Sequence, residues 1–142
     1  MHLPKYRRAD VFFSDIIIAM NKTYIPALIS VILLATLHFI ANEFHLYHLI
    51  SWFDIMMHIL GGLAIALSIY WTMVTFFEEV HPSLARIMII TFIAGFAWET
   101  FETMNDIAGA PLGTHDYYID SVKDLYDDVI GGFIACFFLR KK

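Results

Sequence analysis

Asp54 and His58 stand four residues apart, Glu99 and Glu102 three apart, and Asp120, Asp124 and Asp128 recur every fourth residue with Asp127 alongside. On helices each spacing puts the side chains on one face, a turn apart. Such oxygen-rich sets with an imidazole suit Mg²⁺, Mn²⁺, Ca²⁺, Fe²⁺ or Zn²⁺, and carboxylates on facing helices are how bundles build dinuclear centres. Several carboxylates in a low-dielectric space repel one another, and a divalent ion removes that penalty. The expected metal ligands are Asp54, His58, Glu99, Glu102, Asp120, Asp124 and Asp128, with Glu102 also the candidate general base. The cofactor expected is a divalent metal ion, Zn, Mn, Fe or Mg.

Each residue also has a plainer reading. Asp106, Asp116, Asp120 and Glu43 suit solvated loops, and Asp120 suits the N-cap of a last helix. Asp54 suits an N-cap as well, with His58 a hydrogen-bonded interfacial histidine, although His58 lies deeper than a cap requires. Glu99 and Glu102 are hardest to explain that way, because a salt bridge needs a cation and Lys123 alone is within reach. His45 and His48, three apart in the outer loop, can lend a ligand but fit an interfacial role better, and His2 and His81 fall on the opposite side from the acids.

The elements that must hold these residues are membrane helices. The 142 residues are 59% hydrophobic and 16% charged, with a mean hydropathy of +0.66, too little polar surface for so small a soluble particle. A net charge of -5 with nine Lys and Arg argues against a nucleic-acid partner. Cys136, the single cysteine, excludes an internal disulfide and a thiolate cluster. No repeat or linker divides the chain, so residues 1–142 read as a single membrane domain.

Residues 23–42 and 55–77 carry no Asp, Glu, Lys or Arg and are long enough to cross a layer of about 30 Å. The uncharged runs 87–98 and 129–139 cover only about 18 and 16 Å as helices. To span, the third helix must carry Glu99 and Glu102 into the membrane, and the fourth must carry Asp124, Asp127 and Asp128. Acids at that depth face a bundle interior or a wet cavity with a partner. The expected fold is all-α, an integral membrane four-helix bundle with spans at about 23–42, 54–77, 83–104 and 120–139.

Eight of the nine basic residues fall on one side of this topology, leaving Lys123 on the other, so both termini are expected in the cytoplasm of a cell (inner) membrane protein. The acidic mouth then faces the non-cytoplasmic side. Arg8, Phe12, Ile16 and Met20 fit an N-terminal interfacial helix or, equally, a short lead-in, and a cleaved signal is the weaker reading. Gly61, Gly62, Gly95, Gly131 and Gly132, with Ala66 and Ala135, read as small-residue seams about one turn deeper than the acids. The loop 105–119, with Gly109, Pro111 and Gly113, turns tightly and can cap the cavity, with Thr114, His115 and Asp116 over the site.

Asp54-x-x-x-His58-x-x-x-Gly62, Glu99-x-x-Glu102, Gly113-Thr114 and Asp120-x-x-x-Asp124 running on to Gly131 resemble the YjdF-like family of small multi-pass bacterial membrane proteins. Asp54 with His58, Glu99, and Asp124-x-x-x-Asp128-x-x-Gly131 more distantly resemble the VanZ-like family. That family often has Gln where Glu102 stands, and an Arg of its loop has no counterpart here. The resemblance implies a fold and a site more than a reaction, with VanZ-like proteins linked to glycopeptide-antibiotic resistance.

Three functions compete. The first is metal-assisted hydrolysis or transfer on a membrane lipid or lipid-linked envelope substrate. The second is a small divalent-cation transporter or channel, although the inner half has no matching intramembrane charges for a through-path. The third is a non-catalytic envelope accessory protein. No nucleophilic Ser or Cys arrangement and no nucleotide-binding glycine loop appears.

Overall fold

The computed structural model describes residues 5–77, 82–107 and 109–140, with the backbone alone described for 5–13, 15–23 and 140. All regular structure among them is helical: α1 (Lys5–Phe44), α2 (Leu46–Leu49), α3 (Phe53–Phe76), α4 (Leu84–Met104) and α5 (His115–Arg140). Tyr24–Phe44 of α1, Phe53–Phe76 and Leu84–Met104 are each long and apolar enough to cross a membrane. α5 has 26 residues but includes Asp116, Asp120, Lys123, Asp124, Asp127 and Asp128.

Two boundaries differ from the sequence expectation. Residues 8–20 are helical but form no separate element, because α1 runs unbroken through Pro26. Proline is tolerated in an apolar helix where the freed carbonyl finds another partner. The last helix starts five residues before Asp120. Gly113, at φ 84°, turns the chain, and Thr114 Oγ1 then accepts from the Tyr117 N–H at 3.2 Å, capping α5. Asp120 therefore lies inside the helix and is not its cap.

The other ends follow from the backbone. α1 gives way to α2 at His45, which takes a left-handed conformation at φ 55°. α4 stops because Asp106 takes the same conformation. The Ile107 N–H then bonds the Glu102 carbonyl at 3.0 Å and the Asp106 N–H that of Thr103 at 3.4 Å, a Schellman closure. Asp106 is thus exposed at the turn that ends α4, in keeping with its reading as a solvated acid.

Helix packing runs inside out relative to a water-soluble protein. Ile29, Ile32, Phe92, Phe96, Phe133 and Phe137 point outward, whereas Ala66, Val74, Ile87 and Ala135 are buried. α3 is the hub, packed against α1, α4 and α5, and α4 also packs against α5. Among the described residues, α1 makes no backbone approach to α4 or α5.

The α3–α5 seam sets the register. A Cβ on Gly62 would overlap the Asp128 backbone, and one on Gly131 would overlap the backbone of Ile59 and Leu63. Two helices in such backbone contact cannot slide, so α5 is fixed with Asp124 and Asp128 beside His58. The acidic ends of α3 and α5 lie together, with the two helices running the same way.

Candidate metal centre

His58 is the centre of the polar cluster. Its Nε2 lies 3.7 Å from Asp54 Oδ1 and 3.9 Å from Asp124 Oδ2, and its Nδ1 lies 3.4 Å from Asp128 Oδ1. Asp54 shares its helix one turn earlier, while both other carboxylates come from α5. The seam described above makes this possible, and Gly95 of α4 completes it by leaving room where its Cβ would collide with the Asp128 carboxylate.

The cluster is deep. His58 is 7% exposed, Glu99 7%, Asp124 3%, Asp127 6% and Asp128 4%. Two groups bring ligand atoms within 4.8 Å of one another: Asp54, His58 and Asp124, and His58, Glu99 and Glu102. Three helices therefore contribute to these two groups, which share His58. Ser121 hydrogen-bonds Glu99, and Trp98 Nε1 donates to Glu102 Oε1 at 2.9 Å. Glu99 Oε1, Asp127 Oδ2 and Asp128 Oδ2 are nevertheless buried with no hydrogen-bond partner. A buried carboxylate oxygen left so is costly, which is the arrangement a cation relieves.

Lys123 supplies part of the counter-charge. Its Nζ lies 2.9 Å from Asp124 Oδ1 and 3.6 Å from both Asp54 Oδ2 and Asp120 Oδ1. It pairs with Asp54, Asp120 and the buried Asp124 rather than with Glu99 and Glu102, the pair for which it is the one cation within reach in sequence. Asp120 is drawn to Lys123 and belongs to neither ligand group. Seven carboxylates, counting Asp120 and Asp127, thus share the ends of three helices with one lysine and one histidine.

Asp127, read in sequence as an acid carried into the membrane beside the stripe but not as a ligand, is buried as fully as its neighbours. Other residues around the site escaped the sequence reading. Ser121 precedes Asp124 by three residues and Trp98 precedes Glu102 by four, helical spacings that can reveal a partner once the acids are suspected. Tyr47 and His38 come from the short helix α2 and from the apolar part of α1. Asn42 donates to His38 Nε2 at 3.0 Å, so Nδ1 carries the ring proton and donates to the Tyr47 hydroxyl at 2.9 Å. Burial, with Asp54 and Glu102 nearby, pushes the Tyr47 phenol up to about 12. Its proton stays on and is free to be donated into the cavity that Tyr47 lines.

The loop after α4 does not cover the site as a lid of ligands. Thr114, His115 and Asp116 are exposed, and His115 pairs with Asp116 at 3.8 Å. Thr114 is committed to capping α5. Tyr117 instead ties the two helices, its hydroxyl 2.8 Å from Thr103 Oγ1.

A family model described as "Predicted membrane protein (DUF2238)" matches residues 11–141, and the YjdF-like resemblance is consistent with it. No curated protein and no solved structure matches the chain.

Proposed function

The chain belongs to the DUF2238 family of predicted membrane proteins, and on that premise we propose that it is a metal-dependent enzyme of the bilayer acting on a lipid or lipid-linked substrate. In this reading the four long helices form one spanning bundle with both termini in the cytoplasm, which the one-sided distribution of Lys and Arg supports. The metal centre then opens on the non-cytoplasmic face of the cell membrane. Asp54, His58, Asp124 and Glu99 would hold a divalent ion. Asp128, on the other ring nitrogen, orients His58 as carboxylates commonly do behind a metal-bound imidazole. Glu102, which lines the cavity and is held by Trp98, takes a proton from the attacking water or hydroxyl. A divalent ion held there would supply Lewis-acid polarisation of the carbonyl or phosphoryl oxygen next to the atom under attack. The VanZ-like resemblance of Asp54 with His58, Glu99, and Asp124 with Asp128 supports an envelope substrate.

The observation that carries this reading is His58, set among carboxylates from two helices with buried carboxylate oxygens left unpartnered beside it. Elemental analysis of the purified protein in mild detergent tests it. Wild type should carry a near-stoichiometric divalent metal, and His58→Ala and Glu99→Ala should lose most of it. A folded, metal-free wild type that takes up no added Zn²⁺ or Mn²⁺ overturns it. Lys123 favours a second reading, in which its three ion pairs make the cluster a purely structural network.

A further inference from the structure

α1 and α4 flank α3 with no backbone approach to each other, and beyond the His38–Trp98 ring contact the space between them is open. A cavity of about 640 Å³ lies there, walled by Val31, Leu34 and Ala35 of α1, Ile65 of α3, and Ala94 and Ala97 of α4. One end of the same cavity is polar, formed by Asp54, His58, Glu102 and Asp128. A second cavity of about 420 Å³ shares Val31, Leu34 and Ile65 with it and continues along α3 past Ile69 to Met73. The two lie end to end along α3 with these three residues as a shared wall, and we read them as one groove. From His58 to Met73 it follows α3 for about 22 Å, more than the half of a roughly 30 Å hydrocarbon layer that one leaflet occupies.

The occupant can be argued from this shape. A groove at that depth between two unpaired helices faces hydrocarbon, and its walls are alkyl groups. One end is continuous with the buried carboxylates of the site, so a molecule filling it has an apolar tail and a polar head. His38 and Trp98, whose rings meet edge-on at 6.3 Å, stand across the gap at the polar end, where Tyr47 offers its O–H. A metal-bound site with a neighbouring O–H donor suits a phosphate oxygen.

We propose that a membrane phospholipid lays one hydrocarbon chain in the α1–α4 groove, entering sideways from the bilayer, so that its phosphate head group stops at the His58 cluster. This rests on the metal-centre reading for the head group and on the groove alone for the chain. The small side chains at Ala35, Ala94 and Ala97 keep the path open.

Photolabelling tests it. The full chain is placed in nanodiscs with phosphatidylglycerol bearing a diazirine either at the end of one acyl chain or close to the glycerol. The chain-end probe should label the 68–73 and Ile90 region and the glycerol probe the Val31 to Ala35 and Ala94 to Ala97 region. Ala35→Trp should cut both severalfold with metal content unchanged, and Ala97→Phe on the facing wall repeats the test should the first variant fail to fold. Labelling confined to the outward Phe92, Ile93 and Phe96, and indifferent to both variants, overturns the proposal. The two readings fail separately: a metal-free protein still labelled in the groove sinks the metal centre, and a metal-loaded protein without groove labelling sinks the lipid chain.

Discussion

Asp128 Oδ1 stands 3.4 Å from His58 Nδ1, on the opposite side of the ring from Asp54 and Asp124. That division of the imidazole assigns its nitrogens different work: Nε2 faces the carboxylates that would share an ion, and Nδ1–H is held by a carboxylate behind it. Removing such a supporting group costs roughly 10- to 100-fold in metal affinity. Asp128→Asn should weaken Zn²⁺ or Mn²⁺ binding by about that factor, whereas His58→Ala should abolish it. Competition against a chromophoric chelator measures both. Equal affinity in Asp128→Asn and wild type would remove Asp128 from the site.

The α3–α5 seam makes two adjacent glycines unequal. A Cβ on Gly62 would enter the Asp128 backbone, whereas one on Gly61 would meet Asp128 Oδ1 at 3.7 Å, an ordinary contact. Gly62→Ala should therefore force the helices apart, displace Asp128 from His58 and lower both thermal stability and metal content. Gly61→Ala should be neutral, or stabilising by up to about 1 kcal/mol through helix propensity. Thermal unfolding in detergent, followed by circular dichroism, separates them, and similar losses in both variants would contradict the register described here.

What was legible in the sequence, and what was not, divides along physical lines. The depth match of Asp54, His58, Glu99, Glu102 and Asp124 follows from uncharged run lengths and helical spacing, which are local quantities. The glycine seam was legible for the same reason. The start of α5 was not, because Asp120 and Thr114 are both good N-caps and the choice depends on the Gly113 turn and the Thr114 to Tyr117 bond. Lys123 was weighed against Glu99 and Glu102, yet it points to Asp54, Asp120 and Asp124. Its direction depends on the rotation of α5, which close packing at Gly131 determines and spacing along the chain does not. The α1–α4 groove is a matter of which helices fail to pack, and no residue pattern encodes that directly.

Tyr47 gives the site a dependence on alkaline pH. Its phenol is raised from 10.0 to about 12, so the neutral form is favoured in the folded protein. A group with a raised folded-state value contributes stability that is fully present below the unfolded value and is lost as pH climbs through the folded one. Stability should thus hold up to about pH 10 and decline toward 12, and less steeply in Tyr47→Phe. The difference in phenolate absorbance between wild type and Tyr47→Phe should show one residue ionising near 12. Ionisation of that residue at the ordinary tyrosine value would mean that it is not enclosed by Asp54 and Glu102.

Lys123 separates the metal centre from the purely structural network. It sits 2.9 Å from Asp124 Oδ1 and 3.6 Å from Asp54 Oδ2, while His58 Nε2 faces the other oxygen of each, so lysine and ion would draw on the same two carboxylates. If the cluster exists to bind an ion, the lysine competes with it. Lys123→Met should then raise affinity for Zn²⁺ or Mn²⁺ and make stability depend more steeply on added metal. At a free concentration of about 100 times Kd, the ion contributes about 2.7 kcal/mol to stability. If Lys123 is the cluster's own counter-ion, the same variant leaves Asp54, Asp120 and Asp124 without it, and the unfolding temperature falls whether or not metal is present. Thermal unfolding of Lys123→Met in chelator and across a metal titration distinguishes the two. Recovery of wild-type stability on adding metal supports the metal centre, and a loss that no divalent ion restores refutes it.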